Sequence, residues 1–174
     1  NRFLFLLYLC NSPEPVDLQK LFKCKKKFPD IFSWKTDKKL VAIGAYCLMP
    51  NHYHLLLSET KKGGISKFMQ KISTAYSMYF NIKRKRTGTL FQDRYKARHI
   101  DNDNYLKYLF AYIHLNPIKI VQNDWKEKGI ENLKKAKTFL NEYKYSSYHE
   151  YVGVSYPQKV ILDKMRFPEY FSST

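Results

Sequence analysis

The stretch Leu40 to Ser58 (LVAIGAYCLMPNHYHLLLS) runs nineteen residues without a formal charge, about the length that crosses a bilayer as a helix. Its centre forbids that helix. Pro50 has no backbone N–H, and the Pro50-Asn51 pair favours a turn. Leu40–Met49 and His52–Ser58, rich in Val, Ile, Leu and Tyr, therefore predict two antiparallel strands joined by a tight turn. Such a hairpin cannot bury its apolar faces alone, so it needs helices packed against it.

The remaining chain offers those helices. Arg2 to Asn11 is apolar with little periodicity and reads as the end of a buried helix, stopped before Pro13 and Pro15. Val16 to Phe28 reads as a basic amphipathic helix, with Lys23, Lys25, Lys26 and Lys27 mostly outward. After the Gly63-Gly64 break, Ile65 to Arg86 places Ile65, Phe68, Met69, Ile72, Ala75, Tyr76, Tyr79 and Phe80 at helical spacing. Thr87-Gly88 ends it, and Thr89 to Ile100 reads as extended. Asp101 or Asp103 is positioned to cap a helix over about Asn104 to Leu115, which Pro117 stops. Residues 125 to 150 read as mostly helical and polar. With no repeat or low-complexity linker, one α+β domain with a helical C-terminal extension is the simplest account.

The 174 residues suit one domain. Lys and Arg outnumber Asp and Glu by 31 to 15, a formal charge of +16, yet the chain is 44% hydrophobic with 15 Tyr, 12 Phe and 2 Trp. That aromatic content excludes a disordered basic tail. A folded domain so charged repels itself unless it meets a polyanion, with nucleic acid the first candidate and an anionic membrane surface the second. Phe3 to Cys10 lacks the flanks of a secretion signal. Cys10, Cys24 and Cys47 form no close pair, which points to free thiols in a reducing compartment and excludes a cysteine zinc site.

On a strand, His52 and His54 project from one face while Tyr53 points away. Two imidazoles so placed can hold a divalent cation, although each can equally be an ordinary hydrogen-bonded histidine. The helix before Pro117 carries Tyr105, Tyr108, Tyr112 and Asn116, and the i, i+4 pair Tyr112–Asn116 lies one turn apart. An Asn116 oxygen could complete a His-His-amide ligand set beside a phenol. Spacing alone does not choose Tyr112 over Tyr108. His99 and His114 stay outside this set, His114 because two residues from Tyr112 is another helix face.

Tyr46-Cys47-Leu48-Met49-Pro50-Asn51-His52-Tyr53-His54-Leu55-Leu56-Leu57 resembles the metal-binding HUH strand of single-tyrosine transposases. The similarity continues through Gly88-Thr89-Leu90-Phe91-Gln92-Asp93-Arg94-Tyr95-Lys96-Ala97 and Tyr112-Ile113-His114-Leu115-Asn116-Pro117-Ile118-Lys119, and ends in Tyr145–Gly153. These four ordered motifs, over about residues 40 to 153, resemble the branch of REP-associated tyrosine transposases and related insertion-sequence enzymes. The resemblance implies a ferredoxin-like antiparallel sheet with helices on one face, a core over residues 1–123 and a packed helical extension over 124–174. It implies Mg²⁺ or Mn²⁺ held by His52, His54 and Asn116. Tyr112 would attack the scissile phosphate of single-stranded, hairpin-associated DNA, leaving a 5′-phosphotyrosine and a free 3′-OH that can reverse the step. Nothing before Phe3 supplies the first strand and Asn-Arg-Gly motif of that family, so the expectation is either an N-terminally incomplete chain or a sheet without an inner strand. The resemblance places the protein in a bacterial-type cytoplasm with the nucleoid, leaves monomer and homodimer both open, and needs no membrane.

Single-stranded DNA is held by cations interleaved with aromatics. Lys83, Arg84, Lys85 and Arg86, then Arg94, Tyr95, Lys96 and Arg98, fit that description, with Phe91 and His99 among them and Gln92 and Asp93 polar enough to read base edges. Lys134, Lys135 and Lys137 read as a solvated helix face. The competing function is a non-catalytic, domesticated DNA-binding relative. A replication initiator or relaxase fits a short chain without a helicase poorly.

Overall fold

The computed structural model describes residues 2–15, 17, 38–154 and 156–170. Of the basic helix expected over 16–28, all but Asp17 lies outside the described residues, Cys24 included. Packing divides the chain into two compact units, Asn1–Ala42 with Ser58–Arg98, and Ile43–Leu57 with His99–Thr174.

In the first unit, α1 (Arg2–Leu9) is buried from Phe3 to Leu9, the buried helix expected from its unbroken apolar run. It packs on α2 (Gly64–Arg84), with Phe3 meeting Tyr76 edge to face at 5.0 Å between ring centroids. The α2 face toward the core is Phe68, Met69, Ile72 and Ala75, part of the expected spacing. Two glycines fix where α2 starts. Gly63 has φ +74°, and a Cβ on Gly64 would lie 2.1 Å from the Leu40 carbonyl oxygen. Buried Asn11 ties the end of α1 to the hairpin. Its Oδ1 accepts from the Leu40 and Val41 N–H groups at 3.0 and 2.9 Å, and its Nδ2 donates to Val41 O at 2.9 Å.

The hairpin is β1 (Val41–Leu48) and β2 (Tyr53–Glu59), paired as a two-stranded antiparallel sheet. Met49 N–H to His52 O, 2.8 Å, closes the turn at Pro50-Asn51. The α+β class expected from the sequence is therefore the class found. Among the described residues the long uncharged stretch is this hairpin, and no helix is long and apolar enough to cross a membrane.

In the second unit, α3 (Asp103–Leu115) buries Phe110, Ile113 and His114, and Phe110 and Ile113 join Ala45, Cys47 and Leu56 in the core. Its cap is Asn102, whose side chain accepts from Tyr105 N–H at 3.1 Å, not Asp101 or Asp103. An amide oxygen serves this position as well as a carboxylate does. A 3₁₀ turn over Asn116–Ile120 follows, set by Pro117. The expected helical region then breaks into α4 (Trp125–Lys128), α5 (Leu133–Glu142) and α6 (Tyr148–Tyr151). Lys134, Lys135 and Lys137 are exposed on α5, as expected for a solvated face.

The Tyr145–Tyr148 motif is structural here. Ser146 bridges antiparallel to Cys47, and Tyr145 O accepts from Leu48 N–H at 2.8 Å. The Ser147 hydroxyl accepts from Tyr46 N–H at 2.9 Å and meets His114 Nε2 at 2.7 Å. Tyr151 donates to Gly44 O at 2.6 Å, and a Cβ on Gly44 would lie 2.8 Å from the Phe167 ring. These contacts satisfy β1 groups that β2 does not reach. Cys10 and Cys47 are free and buried, and burial raises their thiols to about 11 and about 12. Both are inert as nucleophiles at neutral pH.

Thr89–Ile100, expected to be extended, forms neither helix nor strand and bends over residues 90–93. Its residues from Gln92 to His99 are exposed, so no apolar face is available to pair it into a sheet.

Candidate functional site

The second unit brings the four residues of the expected constellation onto two elements, β2 and its preceding turn for the histidines, α3 and its end for Tyr112 and Asn116. The His52 and His54 rings lie 5.0 Å apart, edge to face, so the expected pairing of the two imidazoles holds although His52 precedes the strand. His54 meets the Tyr112 ring edge to face at 5.6 Å. One helical turn on, Asn116 is almost fully buried and its Nδ2 donates to Tyr112 O at 2.9 Å, leaving Oδ1 as the acceptor end of the amide.

The geometry separates two tyrosines that spacing could not. Tyr112 touches His54, while Tyr108, more than half exposed, stacks on Tyr112 at 5.9 Å and on Tyr105 at 6.1 Å. The i, i+3 and i, i+4 steps of α3 make this a ladder of three rings, and its last rung meets His54.

Both imidazoles are held neutral at physiological pH. Burial, then the His52 ring and the Lys126 charge, push His54 down to about 4. Burial, then the charges of Lys119 and Lys126, lower His52. His52 Nδ1–H donates to Asn51 Oδ1 at 2.7 Å, which leaves the lone pair on Nε2. His54 Nε2 is buried with no hydrogen-bond partner. An unpaired buried ring nitrogen on a neutral imidazole is costly unless something accepts its lone pair or its proton. These features fit a divalent cation: two imidazole lone pairs, one oriented by a neighbouring amide, with Asn116 Oδ1 as an oxygen donor. Among the described residues no cluster of three or more His, Cys, Asp or Glu could hold a metal. A cation at the histidine pair thus has only uncharged protein ligands in this set.

Two cations missed in the sequence complete the site. Lys126 on α4 donates from Nζ to the Tyr112 phenol oxygen at 2.8 Å, with Nζ 4.3 Å from the ring centroid. Lys119, on the 3₁₀ turn, adds its charge to the same environment. Burial pushes the Tyr112 phenol up, but the Lys126 hydrogen bond, the Asn116 amide and the two lysine charges outweigh it, so the phenol titrates below its ordinary range. No spacing rule joins residue 126 to residue 112. The only signal is a lysine in the polar run after Asn116.

The expected DNA-contact residues Lys83, Arg84, Lys85, Arg86, Arg94, Tyr95, Lys96 and Arg98 all belong to the first unit, and all are exposed. Arg84 and Arg86 lie over the Phe80 ring at 5.9 and 5.8 Å, and Lys83 lies 5.7 Å from the Tyr79 centroid. Tyr95 meets the Ser66 hydroxyl at 3.3 Å. This is a surface of cations and aromatic rings interleaved, the composition that binds single strands.

A family model described as transposase IS200 like matches residues 19–116, more than half of the chain. No curated protein and no solved structure matches the chain. The family match implies transposase activity and DNA binding, in a family that is generally dependent on divalent metal. The chain belongs to the IS200-like transposase family.

Proposed function

We propose that the protein cleaves and rejoins single-stranded, hairpin-associated DNA through Tyr112, with His52, His54 and Asn116 holding Mg²⁺ or Mn²⁺, as a member of the REP-associated branch. The observation that carries this reading is the contact of the Tyr112 ring with a histidine whose ring nitrogen is buried and unpartnered. A histidine kept only for structure would have that nitrogen paired.

The chemistry is a transesterification. The Tyr112 oxygen attacks the scissile phosphorus, the bond to the 3′-oxygen breaks, and the phenol's proton ends on the departing 3′-OH. Atoms and charge balance without an external energy source, so the same 3′-OH, or that of another strand, reverses the step. The metal, when bound, supplies charge neutralisation on the non-bridging oxygens. The chain's own residues do the rest. Asn116 fixes the carbonyl end of Tyr112, Lys126 holds the phenol oxygen, and Lys83–Arg86 with Arg94, Tyr95, Lys96 and Arg98 bind backbone phosphates and bases. In this reading residues 1–123 form the core that carries Tyr112 and the metal ligands, to which the following segment adds Lys126. Residues 124–174 form an extension, supported by the bonds from Ser147 and Tyr145 to β1.

The test is an adduct assay. Fluorescent single-stranded oligonucleotides tiling the DNA that flanks the coding region are incubated with the protein and Mg²⁺ or Mn²⁺. A covalent protein–DNA band that carries the label on the 5′-phosphate side supports the reading. Salt-sensitive binding with no adduct in either metal would leave the non-catalytic DNA-binding reading in its place.

A further inference from the structure

We infer that Lys126 is a catalytic residue of this reaction, a fixed cation that holds the Tyr112 nucleophile and then neutralises the phosphoryl group bonded to it. The inference rests on the reading of Tyr112 as the attacking group. Its own observation is different: Lys126 Nζ hydrogen-bonds the phenol oxygen at 2.8 Å.

A lysine on a four-residue helix would ordinarily be a mobile surface charge. This one is anchored on both sides. Trp125, the preceding residue, packs against the cluster of Ile118, Ala136 and Leu140. The Gln122 side chain spans the helix, donating from Nε2 to Gly129 O at 2.8 Å and accepting from Glu131 N–H at 3.2 Å. These bonds fix the backbone on either side of Lys126. The ammonium also lies 4.3 Å from the Tyr112 ring centroid, and this cation–π contact restrains it further.

The consequence follows from bonding geometry. When the Tyr112 oxygen forms its bond to phosphorus, the non-bridging oxygens of that phosphate arrive within ion-pair reach of a cation already bonded to the attacking atom. The P–O(Tyr) bond forms, the P–O3′ bond breaks, and the phenol proton goes to the 3′-oxygen. The negative charge concentrated on the phosphoryl oxygens during this exchange faces the ammonium. A donor preset for developing charge does its work in the transition state, whereas a general DNA contact acts equally on bound substrate. Lys126 should therefore appear in the cleavage rate and not in the affinity.

The experiment uses the full chain and whichever flanking oligonucleotide gives the wild-type adduct in Mn²⁺. Saturating single-turnover cleavage rates and oligonucleotide Kd values are measured for wild type, Lys126→Met and Lys126→Arg, with melting temperatures as a check on folding. Lys126→Met, which keeps the length and removes the charge, should slow cleavage about 100-fold or more and change Kd by less than about threefold. Lys126→Arg should recover at least about a tenth of the wild-type rate, because a guanidinium keeps both charge and donors. A Lys126→Met protein that cleaves at the wild-type rate, or one whose loss lies wholly in Kd, overturns the assignment while leaving Tyr112 intact. An absence of any wild-type adduct, or an adduct that persists in Tyr112→Phe, overturns the transposase mechanism itself and this role with it.

Discussion

The His54 and Tyr112 rings meet edge to face with centroids 5.6 Å apart, joining a strand residue to a helix residue 58 positions later in the chain. That contact brings together the residues proposed as nucleophile and metal ligand, which local sequence leaves far apart. It also explains why His54 is the more perturbed imidazole. It is more buried than His52, and its falling pKa follows burial first and the neighbouring charges second.

The contact distinguishes the tyrosines of α3 by experiment. Tyr112→Phe removes the proposed attacking oxygen and should abolish the covalent adduct. Tyr108→Phe keeps the stacked ring and should retain the adduct within about threefold, since a ring's stacking with bases is nearly independent of its hydroxyl. Denaturing gels of both variants check this. An unchanged adduct in Tyr112→Phe would move the nucleophile elsewhere.

Metal binding should depend on DNA. The set His52, His54 and Asn116 carries no negative charge, and Lys119 and Lys126 raise the positive potential around it. A divalent cation is poorly held by neutral ligands beside two ammonium groups, whereas a DNA phosphate supplies the missing charge. Millimolar Mn²⁺ alone should raise the melting temperature by under about 2 °C, and Mn²⁺ with a bound oligonucleotide by clearly more than the two separate shifts combined. His54→Ala should erase the extra shift and cleavage together, and EDTA should stop cleavage reversibly. Tight binding of Mn²⁺ to the free protein, seen by calorimetry, would contradict the charge argument.

Much of this arrangement was legible in the chain, and the boundary is physical. Period-2 alternation in His52-Tyr53-His54 predicts the shared face. The run Ile65 to Arg86 predicts α2, because side-chain periodicity is a local property. Sequence does not single out Asn102 as the cap because three polar residues in a row, Asp101, Asn102 and Asp103, serve equally by type, and only backbone angles choose among them. Thr89–Ile100 looked extended because it has no helical period, but extended residues form a strand only where an edge receives them. Lys126 was unreadable for a further reason. Its partner is set by how α4 packs, a tertiary matter with no trace in spacing.

Lys85 offers a way to separate folding from DNA binding. It caps α2 in the left-handed region, φ 50° and ψ 45°, the only non-glycine residue with positive φ among the described residues. Glycine is the usual occupant of such a position, since a Cβ there costs roughly 1 kcal/mol. Lys85→Gly should therefore raise stability by about 0.5–1 kcal/mol in denaturant titrations. The same change removes one cation from the exposed Lys83–Arg86 run, so single-strand affinity should fall and its log–log salt slope should flatten by about 0.7. A fall in stability would count against the capping argument, and an unchanged or raised single-strand affinity against the proposed DNA contact.

His114 contributes to how the fold responds to acid, alongside His54. Its ring is buried against Ser147, and burial, reinforced by the Lys164 charge, brings it to about 4, with a backbone bond at Phe110 opposing weakly. In the unfolded chain the same ring titrates near about 6.5. As pH falls below that value, the unfolded state takes up a proton that the folded state refuses. The stabilising contribution is therefore whole above about pH 6.5 and is lost progressively as pH falls toward 4, by up to about 3 kcal/mol. Guanidinium unfolding of the wild type at pH 7.5 and pH 5 should show a clear drop in midpoint. His114→Gln, which keeps a donor toward Ser147 but cannot titrate, should start less stable at pH 7.5 because of its different shape, yet lose distinctly less on going to pH 5. Equal losses in both proteins would assign the acid sensitivity to other groups.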